Sequence, residues 1–433
     1  MKQNNDICII GSGIAGVYTA LSLAKKNIPC TLIDKEKFPR DKVCGESLTS
    51  SVIRYLHQLD PQILASDEFN NAKQTINGVR LFAPNCNEVY LPFISNANDK
   101  IGLESSIGIR RLNLDNILIN HAKSNPLITV IEEFEATNIQ IHENGVSIQN
   151  KKNNLILEAK IIVIANGYNS KIVKQLSDWK WENETDACGI TAYYKNVTGI
   201  SNSSTAECYL LEDLKSGGMY VMPVENGIVN VNIAIRNDVR KKHKINLRKV
   251  LEENLHNHPV LKTRFKDAIE IRSPIGHGYH LGIKKRRIIG ERFILIGDAG
   301  GFNDAVSANG IAHAMISGSL AAESLVKSYN SNNYSVTNFE TFQKNVYKAF
   351  SKIRISGFLT QPFFLHHKLM FGFANLFFGK KGSEKIMYKV MYAKQPIHLL
   401  ISFSFYKDLI KLFIELLFNN HFKLNKKTNL IET

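Results

Sequence analysis

A glycine-rich turn close to the N-terminus is the feature that most constrains the fold of this chain. Four apolar residues, Ile7 to Ile10, lead directly into the sequence GSGIAG at positions 11–16, and a helical pattern follows. A strand, a glycine-rich turn and a helix in this order bind the pyrophosphate of a dinucleotide at the N-terminus of the helix. The glycines permit the tight turn, the approach of the backbone to the phosphates, and the packing of helix on strand. The residues of this turn that we assign to the cofactor are Gly11, Gly13, Ile14, Ala15 and Gly16.

An acidic residue at the end of the next strand completes the unit. The helix predicted for residues 15–24 is followed by Pro29, by a strand over residues 30–33 and by Asp34. An acid at this place hydrogen-bonds the ribose hydroxyls of a dinucleotide. We therefore assign Asp34 and its neighbour Lys35 to the same cofactor site. The alternative is a glycine-rich turn that holds no ligand.

Length and composition describe a folded globular protein. The chain has 433 residues, too many for one ordinary core, and 44% of them are hydrophobic, so we expect two interleaved domains. Its six cysteines form no CxxC pair and no metal-ligand spacing, which indicates reduced thiols in a cytoplasm and no metal site. The polar N-terminus and the lack of a run of about 20 apolar residues predict a cytoplasmic protein that does not span a membrane.

The C-terminal part of the chain carries much of the positive charge. The formal net charge is +15, and residues 351–433 hold 13 Lys or Arg against 4 Asp or Glu, a surplus of nine. The same part is rich in apolar residues, including Phe363, Phe364 and the run Leu409 to Phe418. One interpretation is peripheral contact with an anionic membrane face. The other is packing on the folded body or a dimer interface. Nucleic acid is not expected, because no nucleic-acid-binding module accompanies the charge.

The order of the predicted elements is that of an α/β protein with two interleaved domains. Residues 1–175 and 286–330 are predicted to form a Rossmann-like dinucleotide-binding domain. Residues 176–285 are rich in strands and are predicted to form a mixed β-sheet that binds the substrate, to which residues 70–110 also contribute. Residues 331–433 are predicted to form a helical, basic and apolar C-terminal region.

Three motifs together indicate a family. They are the turn at Gly11 to Gly16, the segment Pro39 to Glu46, and the segment Gly297 to Phe302 followed by Gly310 and Ile311. Through these motifs, residues 5–330 resemble the FAD-dependent oxidoreductases of the geranylgeranyl reductase family. That family is itself similar to the aromatic hydroxylases and the flavin-dependent halogenases. The resemblance implies that the dinucleotide is FAD.

The resemblance also implies a set of FAD-binding residues. Asp298 matches the family aspartate that accepts hydrogen bonds from the ribityl chain, and the helix that begins near Gly310 points its free amides at the pyrimidine edge of the flavin. The loop at residues 40–44 matches the one beside the isoalloxazine ring, and Arg111 matches a basic residue near FAD. A structural cap at Asp298 and a buried thiol without a role at Cys44 are the alternatives. The cofactor residues implied in this way are Arg40, Cys44, Arg111, Asp298, Asn309, Gly310 and Ile311.

Two segments depart from the family pattern. Where reductases carry Pro-Leu-Thr-Gly-Glu-Gly, this chain has AVSANG at residues 305–310, so the loop over the flavin is altered. On the strand that faces the substrate, residues 218–223 read GMYVMP, and only the proline and the aromatic Tyr220 match the reductase signature. Met219, Tyr220 and Met222 are expected to form an apolar pocket wall, although core packing explains them equally well.

The resemblance implies an oxidoreductase that acts on a hydrophobic small molecule. It favours reduction of carbon-carbon double bonds in an isoprenoid or lipid-like chain, with Cys44 or Tyr220 as the catalytic proton donor. The alternative is an FAD-dependent monooxygenase that hydroxylates an aromatic or polyketide-like compound. Halogenation is disfavoured, because halogenases carry two tryptophans on the strand at residues 218–223, whereas Trp179 and Trp181 lie earlier in the chain. A flavoprotein without catalysis is a third hypothesis. No second nucleotide turn is visible, and the electron donor is expected to be NAD(P)H or another reductant.

Two further segments carry local predictions. Residues 110–115 are predicted to lead into a helix that runs to about Ser124, with Asn113 as its N-terminal cap. His277 and His280 lie among three glycines, so they either line the substrate cavity or lie in an exposed loop, and we favour the loop.

Overall fold

The computed structural model describes residues 6–93, 106–179, 182, 185–305, 309–380, 382–392 and 407. Its strands are β1 (Ile7–Ile10), β2 (Cys30–Ile33), β3 (Ser47–Leu48), β4 (Gln74–Ile76), β5 (Gly78–Phe82), β6 (Glu88–Pro92), β7 (Ser106–Gly108), β8 (Ile128–Ile131), β9 (Ala136–His142), β10 (Gly145–Asn150), β11 (Ile156–Ala159), β12 (Ile161–Ile164), β13 (Asp186–Lys195), β14 (Thr205–Tyr209), β15 (Gly218–Pro223), β16 (Val229–Arg236), β17 (Ile269–His280), β18 (Ile289–Gly290) and β19 (Phe293–Leu295).

The helices alternate with these strands in the first half of the chain and dominate its end. They are α1 (Ile14–Ala24), α2 (Ser50–Leu59), α3 (Pro61–Ala65), α4 (Asp67–Ala72), α5 (Arg111–Lys123), α6 (Lys171–Leu176), α7 (Asn237–Lys242), α8 (Leu247–Asn257), α9 (Leu261–Arg264), α10 (Gly310–Ser331), α11 (Glu340–Ala349), α12 (Ser351–Leu365), α13 (His367–Phe377) and α14 (Ser383–Tyr392).

A six-stranded sheet positions the glycine-rich turn. Its order is β18-β19-β12-β1-β2-β8, and β1 pairs in parallel with β12 on one side and with β2 on the other. The chain therefore changes direction across the sheet at β1, and sheets of this kind bind ligands outside the carboxyl end of the strand at that point. All four residues of β1 are buried, as expected for a parallel strand covered on both faces.

Helices α1 and α10 pack closely at the same end of this sheet. A methyl group built at Gly318 of α10 would lie 2.8 Å from Thr19 Oγ1 and 3.1 Å from the backbone oxygen of Ala15, both in α1. Because Gly318 has no side chain, α10 can cross α1 near the N-terminus of α1. The first half of α1 thus lies against the middle of α10.

A second, seven-stranded sheet has the order β17-β13-β16-β15-β14-β5-β6. Only β14 and β5 pair in parallel, and the other pairs are antiparallel. Strands β5 and β6, from residues 78–92, thus join strands from residues 186–280. The mixed α/β fold with a Rossmann-like sheet that the sequence predicts is confirmed. Three-stranded sheets β11-β10-β9 and β3-β7-β4 complete the strand pairing of the described residues.

The C-terminal helices pack, in part, on the seven-stranded sheet. Ala374 and Phe378 are buried in one cluster with Met222 of β15. The backbone N–H of Asn85, in the turn between β5 and β6, donates to Asn375 Oδ1 at 3.0 Å. This part of the C-terminal region therefore covers one face of the sheet at its β5–β6 end. The apolar run at residues 409–418 and the side chains of Phe363 and Phe364 lie outside the described residues.

Candidate functional site

The glycines of the N-terminal turn are required by its geometry. Gly11 has a φ of +107°, and a methyl group there would lie 2.6 Å from the backbone oxygen of Ala165. A methyl group at Gly16 would lie 1.9 Å from the backbone oxygen of Gly11. Since real Cβ atoms do not approach other atoms so closely, neither position tolerates a side chain. These two glycines fix the path of the backbone from β1 into α1, and Ile14 and Ala15 form the buried first turn of that helix.

Gly13 differs from Gly11 and Gly16, because no backbone atom crowds the position where a side chain would lie. Among the described residues, the only atom within 4 Å of a methyl group placed there is Nη2 of Arg40, at 3.8 Å. The hydroxyl of the neighbouring Ser12 is buried and has no hydrogen-bond partner in the described part of the chain. A helix N-terminus, an open glycine, an unpaired hydroxyl and a guanidinium together suit a pyrophosphate. The turn fits the phosphates of FAD.

Asp34 lies where the sequence predicts, at the end of β2 and beside the turn. Its Oδ2 accepts a hydrogen bond from the backbone N–H of Ser12 at 2.6 Å, and its Oδ1 accepts one from the backbone N–H of Glu36 at 2.9 Å. Each carboxylate oxygen keeps capacity for a ribose hydroxyl. The side chain of Lys35 is exposed and its ammonium lies 3.4 Å from Glu36, so the structure does not bring it to the turn.

A buried carboxylate holds the two predicted arginines together. Asp115 Oδ2 accepts from Arg40 Nη1 at 2.6 Å, and both oxygens of Asp115 accept from Arg111, at 2.6 and 2.7 Å. Burial alone raises the pKa of Asp115, but the two guanidinium charges outweigh it and hold that pKa below its usual range. Nη2 of Arg40 also lies beside Gly13 of the glycine turn. Burial alone lowers the pKa of Arg111, but the charge and hydrogen bonds of Asp115, with a smaller contribution from Cys44, raise it.

The second motif places its aspartate beside the N-terminus of α10. Asp298 Oδ1 accepts from Asn303 Nδ2 at 3.0 Å, and Lys42 Nζ lies 3.4 Å from Asp298 Oδ2. A methyl group at Gly310 would lie 2.1 Å from Asn303 Oδ1 and 3.7 Å from Asp298 Oδ1. Burial raises the pKa of Asp298, but the charge of Lys42 and the hydrogen bond from Asn303 contribute to a net lowering of that pKa below its usual range, so the carboxyl is ionised. The first turn of α10 and Asp298 thus share one polar pocket.

The residues at the start of α10 have separate tasks. The side chain of Asn309 caps the helix by accepting from the backbone N–H of Ala312 at 3.4 Å, and Ile311 is buried. With the side chain of Asn309 engaged as a cap, the groups that α10 offers a ligand are backbone amides. Residues 306–308 of the altered loop lie outside the described residues.

The two candidate catalytic residues come from distant parts of the chain, and the loop of one reaches the strand of the other. A methyl group built at Gly45 would lie 4.0 Å from Cδ1 of Tyr220, so the loop that carries Cys44 rests against β15. The thiol of Cys44 is half-buried and its Sγ accepts from the backbone N–H of Glu46 at 3.3 Å. The residue after Cys44 therefore contacts Tyr220, which brings the Cys44 loop to the seven-stranded sheet.

Of the predicted pocket wall, Tyr220 and Met222 share one face of β15 and Met219 lies on the other. Met219 packs with Val221 and Leu251 in the core under α8, whereas Tyr220 and Met222 belong to the cluster on the opposite face. The interpretation of Met219 as a wall residue beside Tyr220 is wrong, because adjacent residues of a strand point to opposite faces.

The prediction that His277 and His280 lie in an exposed loop is also wrong. Both lie in β17, which pairs with β13 along its length. His280 is buried, and its Nδ1 lies 2.6 Å from Asp186 Oδ1. Burial lowers the pKa of His277, and the charge of Lys42 adds to this effect. The glycines that suggest a loop serve packing, since a methyl group at Gly278 would lie 2.5 Å from the ring of Tyr168.

Two buried carboxyls of the site, those of Glu46 and Asp115, were not predicted from the sequence. Glu46 lies within the motif at residues 39–46, but Tyr193 and Asn230, which donate hydrogen bonds to it, lie on strands far away in the chain. Asp115 lies four residues after Arg111 on the predicted helix, and this spacing is the signal that could have identified it. The cap predicted at Asn113 is wrong: α5 begins at Arg111, and Asn113 Nδ2 instead donates to Glu225 at 2.7 Å.

Flavin enzymes are the class of protein in which a pyrophosphate turn and a second aspartate motif from a distant part of the chain meet in this way. The chain belongs to the family described as FAD binding domain, whose model matches residues 4–333. It is an FAD-dependent oxidoreductase.

The similar proteins include reductases and halogenases. A digeranylgeranylglycerophospholipid reductase of Methanococcus vannielii is 25% identical over 362 residues, which span 81% of this chain and 85% of the relative. A flavin-dependent halogenase of Armillaria mellea is 24% identical over 357 residues, which span 75% of this chain and 65% of the relative. A solved geranylgeranyl bacteriochlorophyll reductase-like protein from Thermoplasma acidophilum superposes with a TM-score of 0.75 at 20% identity, covering 94% of this chain and 98% of that chain. The resemblance to the geranylgeranyl reductase family is confirmed.

Proposed function

We propose that this enzyme reduces carbon-carbon double bonds of a hydrophobic, isoprenoid or lipid-like chain. The observation that carries the proposal is the contact between the Cys44 loop and β15 at Tyr220, because it brings a loop that bears a thiol next to a strand that bears a phenol. Met222 and Cys208 lie on the same sheet face as Tyr220. The relative in Methanococcus vannielii, which is named for reduction of a geranylgeranyl lipid, supports the same substrate class.

Saturation of a double bond adds a hydride to one carbon and a proton to the other. Bound FAD in its reduced form supplies the hydride chemistry. The chain itself must hold the alkene, exclude water and donate the proton. Cys44 Sγ and Tyr220 Oη are the proton-bearing atoms proposed for this task, and the apolar side chains beside Tyr220 would hold the substrate. Arg40, Asp34 and Asp298 would hold the cofactor. NAD(P)H or another donor would reduce it.

Anaerobic turnover tests this function. The purified holoenzyme, photoreduced and mixed with a polyprenyl alkene without oxygen, is expected to yield a product two mass units heavier for each bond reduced. The same incubation with the alkene under oxygen is expected to give no oxygenated product. Hydroxylated product that forms only with oxygen, without alkene saturation in the anaerobic sample, rejects the reductase proposal.

Hydroxylation of an aromatic or polyketide-like compound is the second candidate, and one feature favours it. The sheet face that carries Tyr220 also carries Thr191 and Asn232, whose side chains are hydrogen-bonded at 2.6 Å. Polar side chains on this face suit a substrate with hydroxyl groups. Oxygen consumption coupled to hydroxylated product would identify this activity.

We also propose that α12 and α13 contact an anionic membrane, where a lipid substrate would reside. Phe358 is 67% exposed and Leu369 is 64% exposed, and the exposed Lys352, Lys368 and Lys380 lie on or next to the same helices. Apolar side chains flanked by lysines suit an interfacial position. In the part of the chain that the structure describes, no helix has both the length and the apolar character to cross a bilayer.

A further inference from the structure

The loop that carries Cys44 is fastened to the seven-stranded sheet at two points. At the first, Asp41 forms an ion pair with Arg272 of β17. The guanidinium of Arg272 also lies over the ring of Tyr193, 4.1 Å from its centroid. At the second, the hydroxyl of Tyr193 donates a hydrogen bond to Glu46. The strands under the candidate substrate site therefore hold both ends of the segment that contains Cys44.

Glu46 is the centre of the second attachment. Its carboxyl is completely buried. In addition to the hydroxyl of Tyr193, it accepts from the backbone N–H of Arg111 at 3.0 Å and from Asn230 Nδ2 at 3.1 Å. Asn230 Nδ2 also donates to the backbone oxygen of Cys44, at 3.0 Å. One side chain thus joins the Cys44 loop, the start of α5 and two strands of the seven-stranded sheet.

The loop is held on its opposite side by the cofactor domain. Arg40 pairs with Asp115, and Lys42 lies by Asp298, as described above. The charged side chains of the loop therefore alternate. Arg40 and Lys42 pair with the cofactor domain, whereas Asp41 and Glu46 bind the seven-stranded sheet. Without Glu46, the loop would keep the ion pairs of Arg40, Asp41 and Lys42 but lose the hydrogen bonds that Tyr193, Asn230 and the backbone of Arg111 donate to the buried carboxyl.

We propose that Glu46 is a positioning residue that fixes Cys44 and the backbone of Arg111 relative to the seven-stranded sheet. It acts through these neighbours. The proposal rests on the proposed function only in giving Cys44 a place at the reaction site, and the placement of Cys44 can be measured without substrate.

Thiol reactivity is the readout. In the purified holoenzyme, the rates of alkylation of Cys44 and of the half-buried Cys86 are compared by peptide mass spectrometry. The variants are Glu46→Ala and Tyr193→Phe. Glu207→Ala is the matched control. Glu207 is a second buried carboxyl of the same sheet, it accepts from a tyrosine hydroxyl and it pairs with Arg264 at 2.7 Å. No hydrogen bond or ion pair described in the structure joins it to the Cys44 loop.

Glu46→Ala is expected to raise the rate of Cys44 alkylation relative to Cys86 by about tenfold, because it removes several buried hydrogen bonds. Tyr193→Phe, which removes one of them, is expected to raise it by roughly threefold. Glu207→Ala is expected to leave the ratio unchanged while lowering the melting temperature. A ratio in Glu46→Ala equal to that in Glu207→Ala overturns the proposal. If Glu46→Ala does not fold, an unchanged ratio in Tyr193→Phe overturns it. The alkylation rates do not depend on alkene reduction. An enzyme that reduces no alkene would therefore reject the proposed function without rejecting the role of Glu46.

Discussion

Gly297 lies directly against Ala15: a methyl group at Gly297 would be 2.8 Å from Ala15 Cβ, and Gly297 has a φ of +58°. The contact joins the start of α1 to the turn that carries Asp298, although the two are far apart in the chain. The glycine turn and Asp298, the two places proposed to hold FAD, are therefore held at one fixed spacing.

Substitution of Gly13 by alanine is expected to separate cofactor binding from folding. Gly13 has an ordinary φ of −72° and its missing side chain faces open space, so the cofactor-free variant should melt at the wild-type temperature. The added methyl group would occupy part of the phosphate site. Overpacking of this kind costs about 1–3 kcal/mol, which corresponds to roughly 5- to 150-fold weaker FAD binding. Fluorescence titration with FAD measures the change.

Gly16→Ala is the matched comparison for that variant. The backbone oxygen of Gly11 blocks its methyl group at 1.9 Å, so it should lose stability as well as FAD. Gly13→Ala protein that binds FAD with wild-type affinity would show that the phosphates lie elsewhere.

Asp115→Asn is expected to destabilise the protein strongly. The buried arginine would keep its charge and lose its counter-charge, and breaking a buried pair in this way costs about 3–5 kcal/mol. Urea unfolding measures the loss. Asp238→Asn is the control, since its pair with Arg236 is partly exposed and such pairs contribute about 1 kcal/mol or less. Equal losses in the two variants would mean that the cluster around Asp115 does not hold the site together.

The protonation of Glu46 is expected to make stability depend on pH. Burial raises the pKa of Glu46 to about 8, although the hydrogen bond from Tyr193 lowers it. Between the ordinary carboxyl pKa and about pH 8, the folded state therefore keeps a proton that the unfolded state releases. The free energy of unfolding should fall as pH rises through this window, by up to about 1.4 kcal/mol per pH unit.

Glu46→Gln removes the titrating group, so its free energy of unfolding should change less steeply with pH. Urea unfolding of both proteins from pH 5 to 9 measures the two slopes. Parallel slopes would contradict the raised pKa.

Cys44→Ser and Tyr220→Phe are expected to distinguish the two proton donors. The variant that removes the donor should lower kcat for alkene reduction by roughly 10²- to 10⁴-fold with little change in KM. The other should alter mainly KM. Reduction of the flavin by its electron donor should stay at the wild-type rate in both variants. If neither substitution lowers kcat, the proton comes from another group or from water.

Phe358→Ser and Leu369→Ser together are expected to weaken binding to anionic vesicles. Both side chains are exposed, so the protein should keep its melting temperature while losing about 2–3 kcal/mol or more of apolar insertion, a loss of roughly 30-fold or more in partitioning. Co-sedimentation with vesicles that contain phosphatidylserine measures it. Ile156→Ser is the control, because Ile156 is 59% exposed but lies on β11. Unchanged sedimentation of the double variant would leave packing or dimerisation as the role of these helices.

The local parts of the fold follow closely from the sequence. The strand predicted at residues 30–33 is β2, and the helix predicted from residue 15 begins at Ile14. Apolar runs and a glycine turn determine these elements through neighbouring residues. The strand β17 was missed for a related reason. Its glycines resemble loop residues in sequence, whereas Gly278 in fact accommodates the ring of Tyr168 from another part of the chain.

The sequence by itself determined that this chain has a dinucleotide turn, a second motif at Asp298 and a flavin enzyme's order of elements. These are properties of short segments, in which a glycine-rich stretch predicts a turn and an apolar run predicts a buried strand. The tertiary structure alone decided which polar side chains meet. Asp115 joins Arg40 to Arg111, and Glu46 accepts a hydrogen bond from Tyr193. Such pairings depend on how two sheets pack, because burial removes the water that would otherwise solvate each charge and leaves only those partners that the fold supplies.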